Sequence, residues 1–166
     1  MEHSIHLIQE NDAEYLLEFE LENRRFFEQM VPSRGDDYYT YEVFTRRHQE
    51  LLMEQKSGLA KFYLIKNNGG EILGRINLVG IDKINSIADI GFRVGEPYVG
   101  KGIGNKAINL LLKTDLRVRQ IRGKTTTVNH ASQKVLEKNG FRQVGISEEE
   151  FELNGQKMKF VHYLWG

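Results

Sequence analysis

Apolar residues recur along the chain with two periods, one typical of helices and one typical of strands. The helical period begins after Asp12, which we expect to cap a helix that starts at Ala13 and is broken at Pro32. A second helix, residues 41–56, is predicted after Thr40, another side chain suited to a helix cap. The apolar stripes of these helices are Tyr15, Leu16, Phe19, Phe26 and Phe27 in the first and Val43, Phe44, Leu51 and Leu52 in the second.

Shorter apolar segments predict strands, and two more helices lie between the later ones. The strands are residues 4–8, 60–66, 72–79, 87–94, 123–128, 141–152 and 157–165, and the helices are residues 105–116 and 131–138. Turns at residues 67–70 and at Asn154-Gly155 are expected to join hairpins, because Asn and Gly accept positive φ. This order predicts one domain, residues 1–166, of the α/β (α+β-like) class, with helices packed on a mixed, largely antiparallel sheet.

The composition is that of an ordinary globular protein, with 40% hydrophobic and 28% charged residues, so a sizeable core can form. A formal net charge of +0 gives no reason to expect nucleic acid or an anionic membrane as the main partner. The absence of cysteine excludes disulfides, a cysteine-based zinc site and a cysteine nucleophile. No secretory signal is visible, and no apolar run approaches the ~18 residues of a membrane span. We therefore expect a cytoplasmic protein.

A glycine-dense turn, residues 98–104, separates a predicted strand from a predicted helix. At such a turn the unpaired N–H groups and the positive end of the helix dipole point the same way. Glycine lets the backbone approach a phosphate without an intervening Cβ. The turn therefore predicts a site for a phosphorylated ligand.

Two nucleotide-binding motifs fit this turn poorly. A P-loop at residues 95–102 would place Gly102 where the motif needs a hydroxyl for Mg²⁺. A dinucleotide fingerprint at residues 102–107 follows its strand too distantly, and Gly123 and Lys124, about 20 residues further on, are not acidic. On this stretch alone, an ordinary strand–helix turn with glycines for tight packing stays open.

A third interpretation rests on a resemblance that covers nearly the whole chain. The turn resembles the Q/R-x-x-G-x-G/A motif of the GNAT superfamily of acyl-CoA N-acyltransferases; Gly102 and Gly104 match, and Val99 departs from Gln or Arg. Residues 125–141, TTTVNHASQKVLEKNGF, resemble the second signature of that superfamily. Residues 88–94, ADIGFRV, resemble the A-E-[IL]-G-[YF] strand of its RimJ/RimL branch, the ribosomal-protein alanine acetyltransferases.

This resemblance implies a GNAT fold, with a sheet of about seven strands, helices on both faces, and two parallel strands that splay into a V. It implies transfer of an acetyl group from acetyl-CoA, as co-substrate, to a primary amine by direct attack in a ternary complex. The acceptor would be a protein N-terminus, a ribosomal protein included, or a small amine. A catalytically silent acyl-CoA-binding module is the alternative. The oligomeric state stays open, with a homodimer among the options.

The resemblance also implies which residues hold the cofactor. Backbone groups of Phe92, Arg93 and Val94 are expected to contact pantetheine, with a bulge at Gly91 that frees an N–H for the thioester carbonyl. The pyrophosphate is expected on the turn, formed by Val99, Gly100, Lys101, Gly102, Ile103 and Gly104. Asn129 and Ser132 are expected near the cofactor arm, although both are also placed to cap the following helix.

The catalytic groups are less constrained. Leu136 stands where many members of the superfamily have a Tyr that protonates the thiolate, so Ser132 is the candidate acid. The candidate bases are Asp89, Glu150 and Glu152, acting directly or through water, with surface roles as the alternative. The five histidines show no metal-ligand spacing, and no metal is expected.

Two further groups have open roles. Tyr38, Tyr39 and Tyr41 are predicted either to line the acceptor site or to be ordinary core and surface residues. The acidic residues Glu18, Glu20 and Glu22, and likewise residues 148–150, would favour a cationic acceptor or form solvated faces.

Overall fold

The computed structural model describes residues 2–166. The strands are β1 (His3–Leu7), β2 (Lys61–Asn67), β3 (Ile72–Asp82), β4 (Ile87–Val94), β5 (Gln120–Thr126), β6 (Arg142–Ile146), β7 (Phe151–Leu153), β8 (Gln156–Met158) and β9 (Phe160–Trp165). The helices are α1 (Ala13–Glu22), α2 (Arg24–Phe27), α3 (Tyr41–Lys56), α4 (Ile103–Leu112) and α5 (His130–Lys138). Single 3₁₀ turns are formed by Glu10–Asp12, Asp36–Tyr39 and Glu96–Tyr98.

Seven strands form one mixed sheet in the order β1-β2-β3-β4-β5-β9-β6. Within it only β4 and β5 pair in parallel, and the other neighbours are antiparallel. The β4–β5 ladder runs from Ile87 opposite Gln120 to Ile90 opposite Gly123 and then stops. Because β4 continues to Val94 and β5 to Thr126, the two strands diverge beyond that point. The predicted V-shaped splay is confirmed.

Helices cover both faces of the sheet, as predicted, because alternate residues of a strand point to opposite sides. In β2, Phe62 and Leu64 belong to a core cluster that contains residues of α1 and α3. Their neighbours Tyr63 and Ile65 belong to the larger cluster on the other face, built with residues of α4 and α5. The sheet is therefore the middle layer of a three-layer structure.

The first helix starts where it was predicted, but its cap and its end differ from the prediction. It starts at Ala13, but the Asp12 carboxylate accepts the backbone N–H of Gln9 at 2.7 Å and does not cap α1. It ends at Glu22 because Asn23 leaves the helical conformation and directs its side-chain amide to the carbonyl of Phe19. Tyr15, named in the apolar stripe of this helix, is exposed and does not join the core.

The closing hairpin is also interrupted. Its turn lies at Asn154-Gly155 as predicted, with both residues at positive φ. The single strand expected over residues 141–152 is divided into β6 and β7, and β7 pairs with β8 in a separate two-stranded sheet. The division falls at the polar stretch Ser-Glu-Glu-Glu, residues 147–150, which has no apolar side chain to place in the core.

Candidate active site

The glycine-rich turn ends in an open helix N-terminus. Gly100 and Gly102 have φ of 79° and 76°, and a Cβ added at either would meet nothing within 4 Å. The first hydrogen bond across the start of α4 runs from the N–H of Lys106 to the carbonyl of Gly102 at 3.1 Å. The three preceding N–H groups, those of residues 103–105, are therefore directed out of the helix. This arrangement suits an anion.

Close packing holds this turn against residues 92–94 of β4. A Cβ at Gly104 would lie 3.6 Å from the Phe92 ring and 3.7 Å from Val94, so the small residue lets α4 approach the strand. A side-chain contact from β1 adds to this, because Nε2 of His3 lies 3.2 Å from the carbonyl oxygen of Ile103. The anion site and the splayed part of β4 are thus neighbours.

One edge of β4 is open along the splay. Residues 91–94 pair with β3 on one side, and the described ladder to β5 ends at Ile90. The bulge expected at Gly91 is not found, because Gly91 lies opposite Asn77 in regular register. The irregularity in this ladder lies instead between Val79 and Asp82. The open edge is therefore produced by divergence from β5 and not by a local bulge.

Asn129 and Ser132 lie where β5 passes into α5, on the other side of the splay. The Oδ1 atom of Asn129 accepts the backbone N–H of Ser132 at 3.1 Å, so Asn129 does cap α5. Leu136 is buried and packs against Gly123, whose added Cβ would lie 3.1 Å from it. The structure thus places Ser132 beside the splay and gives Leu136 a core role.

The three candidate bases belong to two separate segments, Asp89 to β4 and the two glutamates to the start of β7. Asp89 forms an ion pair with Arg122, whose Nε donates to Oδ1 at 2.8 Å, in the part of the sheet where β4 and β5 still pair. Glu150 and Glu152 are exposed, while Phe151 between them stacks on Phe160 with ring centroids 4.6 Å apart. No hydrogen bond joins any of the three to Ser132 in the described structure.

A cavity of about 320 Å³ opens on the opposite face of the sheet, beside the same β4 segment. Gly91, Phe92 and Arg93 line it from β4, and Asn77 lines it from β3. Four arginines contribute to its wall: Arg34, Arg47, Arg75 and Arg93. Arg93 therefore has a side-chain position on this face in addition to the backbone role predicted for it.

A fully buried carboxylate holds two of these arginines. Glu20 accepts from Arg75 at 2.7 Å through Oε1 and from Arg93 at 3.1 Å through Oε2. Burial lowers the pKa of Arg93, and the Glu20 charge partly opposes that shift. The Arg93 guanidinium also lies 4.4 Å from the centroid of the Phe27 ring. The suggestion that Glu20 belongs to a solvated acidic face was wrong.

Sequence reasoning missed Arg34, Arg47 and Arg75 as parts of this site, and it named Glu20 only as a member of an acidic group. The available signal was the position of Glu20 on α1, since it shares a helix face with Leu16 and Asn23, both buried. A charged residue on the buried face of a helix requires a partner, because an unpaired charge is costly to bury. Of the three tyrosines, Tyr38 lines the cavity, whereas Tyr41 is exposed.

Residues 2–166 contain neither a membrane-spanning helix nor a metal-binding cluster. No helix there is long and apolar enough to cross a membrane. No group of three or more His, Cys, Asp or Glu side chains is arranged to hold a metal ion in that range.

Comparison with known proteins agrees with this geometry. Residues 5–142 match the acetyltransferase (GNAT) domain family. The Bacillus subtilis protein YjcK, named a probable N-acetyltransferase, is 33% identical over 87% of this chain and 82% of its own length. The ribosomal-protein-serine acetyltransferase of Escherichia coli is 26% identical over 90% of this chain and 84% of its own.

Solved structures show the same fold. That of RimL, a ribosomal L7/L12 alpha-N-protein acetyltransferase in complex with coenzyme A, superposes with a TM-score of 0.87. It is 25% identical and covers 98% of this chain and 92% of its own. With a family match over most of its length, the splayed sheet and the open N-terminus of α4, this chain belongs to the acetyltransferase (GNAT) family.

Proposed function

We propose that this protein transfers an acetyl group from acetyl-CoA to a primary amine by direct attack within a ternary complex. One observation carries the proposal: β4 residues 91–93 border both the open strand edge beside α4 and the cavity on the other face. A thioester laid along that edge would meet an amine that arrives through the cavity. The solved relative holds coenzyme A, and the relative from Escherichia coli is named for acting on a ribosomal protein.

The cofactor is proposed to bind in an extended conformation across the splay. Its pyrophosphate would accept the outward N–H groups at the start of α4, where the helix dipole adds to the attraction and Lys101 is exposed nearby. Its pantetheine would hydrogen-bond to the open edge at residues 92–94, as an added strand does. Asn129 and Ser132, at the start of α5, are proposed to contact the same part of the cofactor with their side chains.

The reaction needs a neutral amine, a stabilised oxyanion and a proton for the departing thiolate. Ser132 is proposed to donate a hydrogen bond or the proton to that thiolate. Asp89, Glu150 and Glu152 stay as candidate bases, acting through water. Both oxygens of Asp89 already face Arg122, whereas the two glutamates are exposed, which favours a glutamate.

The acceptor is proposed to be a protein N-terminus or a small amine, in the cytoplasm, and a ribosomal protein is included by the names of the relatives. Release of free thiol from acetyl-CoA, measured over a panel of amines and N-terminal peptides, tests the activity. Transfer to any of them separates an enzyme from a silent acyl-CoA-binding module. Binding of acetyl-CoA without thiol release over the whole panel would favour the module.

A matched pair of substitutions at Gly102 tests the pyrophosphate site. Gly102 has φ of 76°, a conformation that Asn and Asp tolerate better than most residues. The two side chains have nearly the same shape, but only Asp brings a negative charge to the phosphates. We expect Gly102→Asp to weaken acetyl-CoA binding about tenfold or more relative to Gly102→Asn, measured by calorimetry. Equal affinities for the two variants would place the pyrophosphate elsewhere.

A further inference from the structure

We propose that the acceptor is a primary amine with a carboxylate close to it, and that Arg34 and Arg47 bind this carboxylate in the cavity described above. The inference rests on the proposed acetyl transfer and deepens it by naming the chemical class of the acceptor. It also reverses the sequence-based suggestion of a cationic acceptor.

The cavity wall is cationic. Four of its lining residues are arginines, and no Asp or Glu is among those that line it in the described structure. Glu20, which lies behind the wall, has both oxygens engaged by Arg75 and Arg93. The single negative charge of Glu20 is thus shared by the two positive charges of Arg75 and Arg93. An excess of positive charge remains at the base of the cavity.

The other two arginines can reach a ligand. Arg34 is exposed, and its Nη1 donates to the Tyr38 hydroxyl at 2.8 Å, a neutral partner. Arg47 contacts Glu50 at 2.9 Å, but their side chains are 49% and 54% exposed, so solvent weakens this pair. Both guanidinium groups therefore retain the ability to bind a carboxylate through two hydrogen bonds.

The electrostatics of the site favour an anion over a second cation. Burial is the largest cause of the lowered pKa of Arg93, and the charges of Arg34 and Arg75 lower it further. A carboxylate near these groups relieves their mutual repulsion, whereas a polyamine or a lysine-rich peptide adds to it. The charge of the cavity thus selects among amines.

An unsatisfied polar atom marks a place for the amine itself. Oδ1 of Asn77 is buried and has no hydrogen-bond partner within the described part of the chain. Asn77 lines the cavity and lies directly opposite Gly91, where no side chain intervenes. Reorientation of the Asn77 amide toward the cavity would let this acceptor take an amine N–H while the carboxylate contacts the arginines, because buried polar atoms are normally paired.

Two sources of carboxylate fit this chemistry, and the experiment separates them. The first arm compares a tripeptide amide that has glutamate at its second position with its glutamine and lysine counterparts. The second arm compares serine with serinamide at equal concentrations of the neutral amine, because amidation also lowers the pKa of the adjacent ammonium group. Thiol release gives kcat/KM for each probe, and calorimetry in the presence of coenzyme A gives affinities without turnover.

In at least one arm, we expect the kcat/KM of the anionic probe to be about tenfold or more above that of its neutral counterpart. The reason is that only the anionic probe can form charge-assisted hydrogen bonds with the arginines. Arg34→Gln and Arg47→Gln should each reduce that ratio, and the double variant should bring it close to one. Neither substitution leaves Glu20 without its partners, so folding is preserved. Arg117→Gln, at a residue 82% exposed, is the matched control and should keep the full ratio.

The proposal is overturned if the protein acetylates the probes with equal kcat/KM for the charged and neutral counterparts in both arms, or with a higher kcat/KM for the lysine peptide. It is also overturned if the double variant keeps the wild-type ratio of kcat/KM between anionic and neutral probes. Failure of the transferase function itself is distinguishable, because acetyl-CoA would bind and no probe would release thiol. In that case the calorimetric affinities of the charged and neutral counterparts still decide whether the cavity selects an anion.

Discussion

The Glu20→Gln variant is expected to unfold with a free energy about 3–5 kcal/mol lower than that of the wild type, because it removes the negative charge that the buried Arg75 and the partly buried Arg93 both contact. Arg75 and Arg93 both contact this carboxylate, at 2.7 and 3.1 Å. Glutamine keeps the shape of the side chain and can accept one hydrogen bond, but it leaves two cations uncompensated. Urea denaturation with an unchanged m-value is the measurement.

Glu18→Gln provides the control for this experiment, because Glu18 is an exposed residue of the same helix. Its effect should be within about 0.5 kcal/mol of zero, as for most surface substitutions. A second substitution, Arg75→Met in the Glu20→Gln background, should recover part of the loss by removing one unpaired charge. Equal effects of Glu20→Gln and Glu18→Gln would show that the buried ion pairs do not support the fold.

The Ser132→Ala variant is expected to lower kcat by about 10²–10⁴-fold, the usual contribution of a general acid or base. The substitution isolates the hydroxyl, because the cap of α5 uses the backbone N–H of Ser132, which alanine retains. We therefore expect the helix, the melting temperature and the acetyl-CoA affinity to stay close to those of the wild type. Steady-state kinetics at saturating acetyl-CoA, together with calorimetry, separate the two effects.

Ser132→Thr is the companion variant, since it keeps a hydroxyl and should retain part of the rate. Amide substitutions at Asp89, Glu150 and Glu152 complete the set, and one of them should flatten the rise of kcat/KM with pH. A Ser132→Ala variant that alters only cofactor affinity, together with three amide variants that keep the wild-type profile, would contradict the assignment. The protein would then act by orienting the two substrates alone.

Helix α3 and strand β4 could be predicted because local signals there agree with the tertiary structure. Helix α3 was predicted to the residue, since the Thr40 side chain accepts the N–H of Val43 at 3.4 Å as a cap should. Strand β4 was also predicted to the residue from its run of apolar positions. The splay was predicted only through the family resemblance, because no local sequence pattern in β4 or β5 indicates where the two strands stop pairing.

The arginine-lined cavity could not be predicted in the same way. Glu20 and Arg93 are 73 residues apart along the chain, and Glu20 and Arg75 are 55 apart. Taken singly, Glu20, Arg75 and Arg93 are residue types that usually lie at the surface. Only the packing of α1 on β3 and β4 brings them together. Asp12 illustrates the same limit locally, since its carboxylate accepts from Gln9 instead of capping the helix that follows it.

The divergence of β4 from β5 has a consequence for the fraction of the protein that is unfolded at equilibrium. A sheet that lacks hydrogen bonds along part of an internal strand is less stable than the same sheet with the ladder completed. A ligand that binds in this gap in the native state alone raises the free energy of unfolding in proportion to the logarithm of its concentration, by about 2.7 kcal/mol at one hundred times its dissociation constant. For an enzyme whose co-substrate lies along β4, the supply of acetyl-CoA would then govern resistance to proteolysis as well as turnover.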